Sequence, residues 1–494
     1  MPSRTILGMY SIWDTGFCHR PRWKMFRWWW MRSETIPEIL RDRGCSIGII
    51  GGGITGLSAA MQARNCGANV HLFESSSRPG GWIRTTHEDD WVLEWGPHSI
   101  LPSSQTLIGL AEQVGLGDTW RSAAKSAKKR YIWRDDSLRA LPSSPFSIPF
   151  SRSLSPLGWA RFLAEPLVGR GKDDEESVSH FIRRRFGREA CRYLADAMVA
   201  GISGGIPEQL ELKSFSPRLK EWEQRFGSVL MGFLRTPRPV GVPFQGTGTL
   251  QGGMECLPRA LARELGDSFH PDTQVMGLKR SGNGWKLFLE GAYPSDTVEV
   301  DGLILTLPAL AAGGLLAPMF PRVALLLNQL AYVSMVVVQI GYDAELCQKR
   351  PDGFGFLVPR EQGLSILGTI WSSTIFPWRA PDPHSLATVF LGGTRDPEVI
   401  DEPDQVLVDR ALCALQTVHG SGLSPVMAAV GKAREAIPQQ MKGHGKRVTE
   451  IRSQLDCHPE LALAGCYIDG ISLESCARSG EDAALKVVSH LASR

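Results

Sequence analysis

Apolar residues gather in a short run at Ile47, Ile49 and Ile50, pass through a cluster of glycines, and resume among small residues at Leu57, Ala59, Ala60 and Met61. The first run predicts a buried strand and the second a closely packed helix. Val70, Leu72 and Phe73 predict another strand, which stops at Glu74. Residues 105–141 mix helix and strand, with a strand over 130–133 and its hairpin return over 137–142. Residues 154–245 read as largely helical, with breaks at Pro217, Pro237, Pro239 and Pro243. Gly252-Gly253, followed by Leu257-Pro258, opens a helix through Leu265. Strands are predicted over 273–278, 284–289 and 300–307, the last stopped by Pro308. The richest apolar stretch, Leu303 to Phe320, reads as a core strand followed by a loop. Residues 330–342, 364–371 and 386–393 are strand-rich. Leu461 to Gly465 is a short strand, and Leu473 to Leu491 a helix whose Ala477, Ala484, Val488 and Leu491 recur at helical spacing.

The glycines between the first strand and helix give the pattern its chemistry. Gly51, Gly53 and Gly56 form G-x-G-x-x-G, and Glu74 follows at the end of the second strand. Gly51 permits a tight turn, Gly53 lets a pyrophosphate approach the backbone, and Gly56 lets helix and strand pack closely. The free N–H groups at the helix start face phosphate charge, and Glu74 is placed to accept ribose hydroxyls. A second turn, Arg78-Pro79-Gly80-Gly81, comes at once, with Glu94-Trp95-Gly96-Pro97-His98 soon after. The doubled turn lets more backbone approach a long, flat cofactor, with Arg78 offering charge to the same pyrophosphate, and the pairing resembles the FAD-binding amine oxidase-like flavoproteins. Near the other terminus, Asp469-Gly470-Ile471-Ser472 precedes the last helix, whose N-terminus would stabilise negative charge on a reduced flavin. The expected fold is α/β (α+β mixed). Its Rossmann-like FAD-binding domain is assembled from the discontinuous segments 44–104, 246–310 and 436–494, and a mixed-sheet substrate domain spans 105–141 and 311–435. Residues 142–245 form a helical domain.

Composition narrows the picture by exclusion. Length sets a prior of two to three domains for 494 residues. A formal net charge of +3 argues against a nucleic-acid partner. Ten cysteines without a C-x-x-C pair, and no histidine cluster at zinc spacing, read as free thiols in a reducing compartment and predict no metal. No apolar run reaches the roughly 18 residues of a membrane-spanning helix. Residues 1–43 stand apart, since Arg20 to Arg32 is basic and rich in tryptophan. They read as a disordered tail, as a start assigned too early (translation then beginning, for example, at Met31), as a targeting segment, or as an interfacial membrane anchor.

Taken together, several runs resemble the oxygen-dependent protoporphyrinogen IX oxidases, a family of FAD-dependent amine oxidase-like flavoproteins, and most of all its animal-type branch. The likeness covers about residues 45–490. Gly80-Gly81-Trp82-Ile83-Arg84, Phe354-Gly355-Phe356-Leu357-Val358-Pro359, and Ile437-Pro438-Gln439 with Gly443-His444 carry most of its selectivity. The resemblance implies noncovalent FAD, held at Gly51, Gly52, Gly53, Ile54, Thr55 and Gly56, at Glu74 and Ser75, and at Gly81 and Trp82. Further contacts fall on Gly96, Pro97, His98 and Ser99, on Val275 at the adenine side, and on Gly465, Gly470, Ile471 and Ser472. Substrate contacts fall on Arg130 for a carboxylate, Gly201 through its carbonyl, and Phe354 and Leu357 against the rings.

The implied reaction is a six-electron oxidation of a porphyrinogen in three two-electron steps, with O2 reduced to H2O2 each time. The helical domain is implied to sit on a membrane, cytoplasmic-side in a bacterium or on the inner mitochondrial membrane in a eukaryote. A homodimer and hand-over of product to a chelatase are compatible with it. No general base stands out, so no catalytic side chain is assigned, and His98 and His444 occupy motif positions only. Two departures stand out: His98 replaces an arginine of the animal enzymes, and Gly445 stands where an aromatic often lies. Rival readings are coproporphyrinogen III oxidation, a flavin amine oxidase, and a non-enzymatic protein of the GDP-dissociation-inhibitor type. Against an amine oxidase, only seven tyrosines exist and none is expected to flank the C-terminal turn.

Overall fold

The computed structural model describes residues 40, 44–143, 145–237, 242–347 and 351–494. The readings of residues 1–43, Leu40 apart, and of Pro239 lie outside the described residues. At the centre is a five-stranded parallel sheet in the order Leu461–Leu463, Gly302–Leu305, Ser46–Ile50, Asn69–Phe73, Phe269–His270. Its central strands Gly302–Leu305 and Ser46–Ile50 are almost wholly buried because both faces are covered. One face packs against the helices Ile54–Asn65 and Leu473–Ser493, whose Ser58 Oγ donates to Ala477 O at 2.7 Å. The other carries the antiparallel sheet Thr273–Ser281, Gly284–Gly291, Thr297–Val300, so that a Cβ on Gly48 would stand 3.2 Å from Val300 Cγ2.

The strand expected over 300–307 is two strands in two sheets. At Asp301 the chain crosses between them, with its carboxylate accepting from Ser46 N at 2.8 Å and from Ser46 Oγ at 3.0 Å. The loop expected before Phe320 is also corrected. Pro308 caps the helix Ala309–Leu316, which lies against Pro321–Asn328. The break expected at Pro217 is present: the helix Leu212–Phe215 ends just before it, and Pro217 is the first residue of Pro217–Phe226, where its missing N–H costs nothing.

A seven-stranded sheet follows the order Pro425–Pro438, Tyr332–Asp343, His384–Gly392, Gly368–Ile370, Gly355–Leu357, Tyr131–Arg134, Ser137–Ala140. All its neighbours are antiparallel except Gly355–Leu357 with Tyr131–Arg134. Residues 156–235 are helical around their own core. Beside that core Arg185 and Glu165, both fully buried, form an ion pair, and Glu165 also accepts from Val229 N at 3.0 Å. Removing one partner of such a pair would leave an uncompensated buried charge.

Candidate active site

Parallel strands end on the same side, so residues that follow them collect at one edge of the sheet. There lie the glycine turn after Ile50, Glu74 after Phe73, Thr306 after Leu305 and Gly465 after Leu463. The turn is held by Gly51 N–H donating to Phe73 O at 2.8 Å and by Thr306 Oγ1 at 2.9 Å from both Ile50 O and Gly51 O. A methyl on Gly56 would fall 1.9 Å from Gly51 O, whereas one on Gly53 would meet no heavy atom within 4 Å. The interior of the turn is closed and its outward side is open beside the first N–H groups of the 54–65 helix, a shape that fits a pyrophosphate.

The second turn docks on the first through Gly80 N to Gly52 O at 2.8 Å. Arg78 is spent within that turn, donating to Gly81 O at 2.7 Å and Ile83 O at 3.2 Å. Glu74 accepts from Gly52 N at 2.6 Å, from Ser76 N at 2.9 Å and from Ser76 Oγ at 2.7 Å. A carboxylate offers about four acceptor positions, which leaves capacity for a ribose hydroxyl. Ser76, not Ser75, is the serine that orients it. Val275 lies two residues beyond Thr273, whose N–H donates to Glu74 O at 2.9 Å, and its side chain is buried in the core with Phe73. Trp82 is half-exposed, and its carbonyl would lie 1.9 Å from a Cβ on Gly96.

On the C-terminal side, Gly465 N donates to Ser479 Oγ at 2.9 Å. Ser472 caps the last helix by accepting from Ser475 N at 3.1 Å, so Gly470, Ile471 and Ser472 stand at its head. A tyrosine does flank this turn, contrary to expectation. Tyr467 lies inside it, but its ring is buried in the core with Phe73, Leu305 and Leu461 and does not form an open cage.

Gly96, Pro97 and His98 continue into Ser99, which lines a separate cleft. Arg130, Gly201, Phe354 and Leu357 line the same cleft, so the four predicted substrate contacts come together. The cleft encloses about 960 Å3 to its open mouth. Its walls are largely apolar, including Ile100, Leu101, Phe356, Ile370 and Phe390, and Arg130 is the only charged lining residue among those described. The Arg130 guanidinium lies 4.4 Å above the Phe354 ring, and its Nη2 donates weakly to Thr247 Oγ1 at 3.4 Å. Thr247, Ile100, Leu101 and Phe390 carry no local motif, and only the tertiary fold brings them here.

Both motif histidines are buried and neutral. Burial first, and then the Arg379 guanidinium, hold His98 well below its ordinary range. Burial pushes His444 down to about 4. Gly445, the second departure, uses its N–H to reach Glu211 Oε2 at 2.8 Å. Neither ring is a cationic acid at neutral pH, in keeping with a site that positions its substrate and leaves the redox chemistry to a cofactor.

Comparison with known proteins agrees with this geometry. Residues 54–488 match the flavin containing amine oxidoreductase family model. Human protoporphyrinogen oxidase is 31% identical over 90% of this chain and 98% of its own length. The spinach chloroplast protoporphyrinogen oxidase 1 is 30% identical over 90% of this chain and 84% of its own. Coproporphyrinogen III oxidase of Bacillus subtilis is 28% identical over 90% and 98%. Among solved structures, a candidate protoporphyrinogen oxidase of Exiguobacterium sp. superposes with a TM-score of 0.76 at 24% identity, covering 90% of this chain and 99% of its own. Cyclohexylamine oxidase of Brevibacterium oxydans gives 0.69 at 18% identity, covering 91% and 100%. At these identities the structures speak for the fold alone. The chain belongs to the flavin containing amine oxidoreductase family and is an FAD-dependent oxidoreductase.

Proposed function

We propose that this chain oxidises protoporphyrinogen IX to protoporphyrin IX, removing six electrons in three two-electron steps with O2 as the acceptor and H2O2 as its product. Bound noncovalently along the turns at Gly51–Gly56 and Gly80–Gly81, with Glu74 on the ribose and the 473–493 helix facing the flavin, FAD supplies the electron transfer. The chain's own residues bind and orient the ring. The observation that carries the reading is the charge pattern of the cleft, one cation among apolar walls. Protoporphyrinogen has both propionates on one edge, which suits Arg130 as a bidentate partner, and its remaining periphery is apolar, which suits Phe354, Phe356 and Leu357.

The second reading, coproporphyrinogen III, is favoured by the Bacillus subtilis relative. That substrate carries four propionates, and among the described lining residues only Arg130 offers a charge to pair with them. The test is oxygen-dependent porphyrin fluorescence from each porphyrinogen with flavin-loaded protein. Protoporphyrinogen is turned over faster, and Arg130→Ala raises its KM without lowering FAD content. No turnover of protoporphyrinogen above autoxidation refutes the reading. Flavin colour that stays with the protein after denaturation refutes the noncovalent link.

The helical segment in this reading rests on a membrane surface. Among the described residues no helix is long and apolar enough to cross a membrane. Yet Leu157 is 83% and Leu167 88% exposed, with Phe150, Leu163 and Leu234 also exposed nearby in the segment and the cations Arg152, Arg170 and Arg235 among them. Apolar side chains rimmed by cations suit an anionic lipid interface.

A further inference from the structure

Residues 94–101 run from the expected cofactor contacts to the substrate cleft. Gly96, Pro97 and His98 lie at the start, and Ser99, Ile100 and Leu101 line the cleft at the end. Arg379, from the turn Pro377–Arg379, reaches the middle of this strip. Its Nη2 donates to His98 O at 2.8 Å, to Glu94 Oε1 at 3.2 Å and to Thr249 Oγ1 at 3.3 Å. Its Nη1 lies 3.3 Å from His98 Nδ1. A guanidinium has donors only, so Nδ1 accepts and the ring proton sits on Nε2. Arg379 and Glu94 are each 1% exposed.

Two of the links around this arginine lead to the cleft. Glu94 also accepts from Met254 N at 2.9 Å and from Thr85 Oγ1 at 2.7 Å, and its carbonyl accepts from Gln339 Nε2 at 2.6 Å. Ile100 and Gly248 exchange both backbone hydrogen bonds, at 2.8 and 2.9 Å. Thr249, on one side of Gly248, contacts Arg379, while Thr247, on the other, contacts Arg130 and lines the cleft. One guanidinium therefore joins the 94–101 strip, the strand Gly248–Leu250 and the turn between the sheet strands Gly368–Ile370 and His384–Gly392.

We propose that Arg379 is a positioning residue that sets where the 96–101 strip stands in the cleft wall, and so how substrate is presented to the cofactor. It rests on the substrate reading above. Nothing in the fork is interchangeable with an ammonium, because the carbonyl and the ring nitrogen of His98 are engaged by two different nitrogens.

Two variants test this. Arg379→Lys keeps the charge and loses the fork. The double variant Glu94→Gln/Arg379→Gln removes both charges and leaves neither unpaired. For each, FAD content, KM and kcat with protoporphyrinogen, and hydrogen exchange over 96–101 are measured. Both variants retain FAD, raise KM about tenfold through two lost hydrogen bonds, move kcat less, and exchange faster at Ser99 to Leu101. A double variant with wild-type KM and wild-type exchange overturns the proposal, since the arginine would then only have neutralised Glu94. If wild-type protein oxidises no porphyrinogen, the substrate reading falls, and the exchange measurement decides the tie by itself: faster exchange upholds it and unchanged exchange overturns it.

Discussion

Replacing Gly201 with alanine separates stability from substrate binding. Gly201 lies in the helix Asp196–Ser203, where alanine is favoured over glycine by about 1 kcal/mol. Its Cβ would stand 2.4 Å from Leu357 Cδ2, 3.4 Å from Cδ1 and 3.5 Å from Cγ. Carbon atoms in contact sit about 3.5–4 Å apart, so the end of Leu357 has to move by about 1 Å. That end lines the cleft, so the side chain relieves the clash by swinging into the volume the substrate needs. Overpacking costs about 1–3 kcal/mol in a closed core, but here the helix gain and the open cleft offset most of it. Thermal unfolding therefore shifts little, while KM for protoporphyrinogen rises about tenfold, equivalent to about 1.4 kcal/mol. The assay is porphyrin fluorescence across a substrate titration beside a melting curve. Gly201→Ala/Leu357→Ala reopens the space and brings KM back down. An unchanged KM in the single variant, or no recovery in the double, refutes the reasoning.

Three further outcomes are expected. Gly56→Ala sets a methyl 1.9 Å from the backbone oxygen of Gly51, which cannot swing aside, so the protein purifies without flavin; a yellow preparation of ordinary stability contradicts this. Glu481 is raised from 4.5 to about 7 by burial and then by Glu474. Between those values the folded chain holds a proton that the unfolded chain has lost. Stability therefore declines as pH rises through this window, by at most about 3 kcal/mol. The unfolding free energy of Glu481→Gln relative to wild type should grow from pH 4.5 and level off above about 7, and a difference flat with pH rejects the assignment. Leu157→Ser/Leu167→Ser should lower co-sedimentation with anionic vesicles and leave turnover of dispersed substrate intact; undiminished sedimentation excludes that surface.

The unit from Ile47 to Glu74 was legible because its logic is local: strand, turn, helix and acid follow one another with nothing inserted. The expected substrate contacts Arg130, Gly201, Phe354 and Leu357 rest only on a resemblance, yet the fold gathers all four residues at one cleft. Other features were hidden by distance. Arg379 meets partners 281 and 285 residues away, at His98 and Glu94. The break at Asp301 is not visible locally, because Val300 and the run from Leu303 read as one apolar stretch and only the partner strand changes. The long strand Pro425–Pro438 escaped notice because it lies at a sheet edge, half-exposed, with Lys432, Arg434 and Glu435 interrupting its apolar pattern. Pro308 and Pro217 each stop the element before them and start a helix after them, and a local pattern shows only the stop.

The bond from Ser58 to Ala477 spans 419 residues. At about 5–20 residues per second, a ribosome needs roughly 20–80 seconds to make the chain between them. The neighbouring strand Gly302–Leu305 is made partway through that time, but the sheet's edge strand Leu461–Leu463 and the last helix come only at its end. The pocket for the flavin is thus finished last, although its signature is translated first. A chain truncated before Leu461 lacks both the edge strand Leu461–Leu463 and the last helix, and is expected to purify without flavin colour.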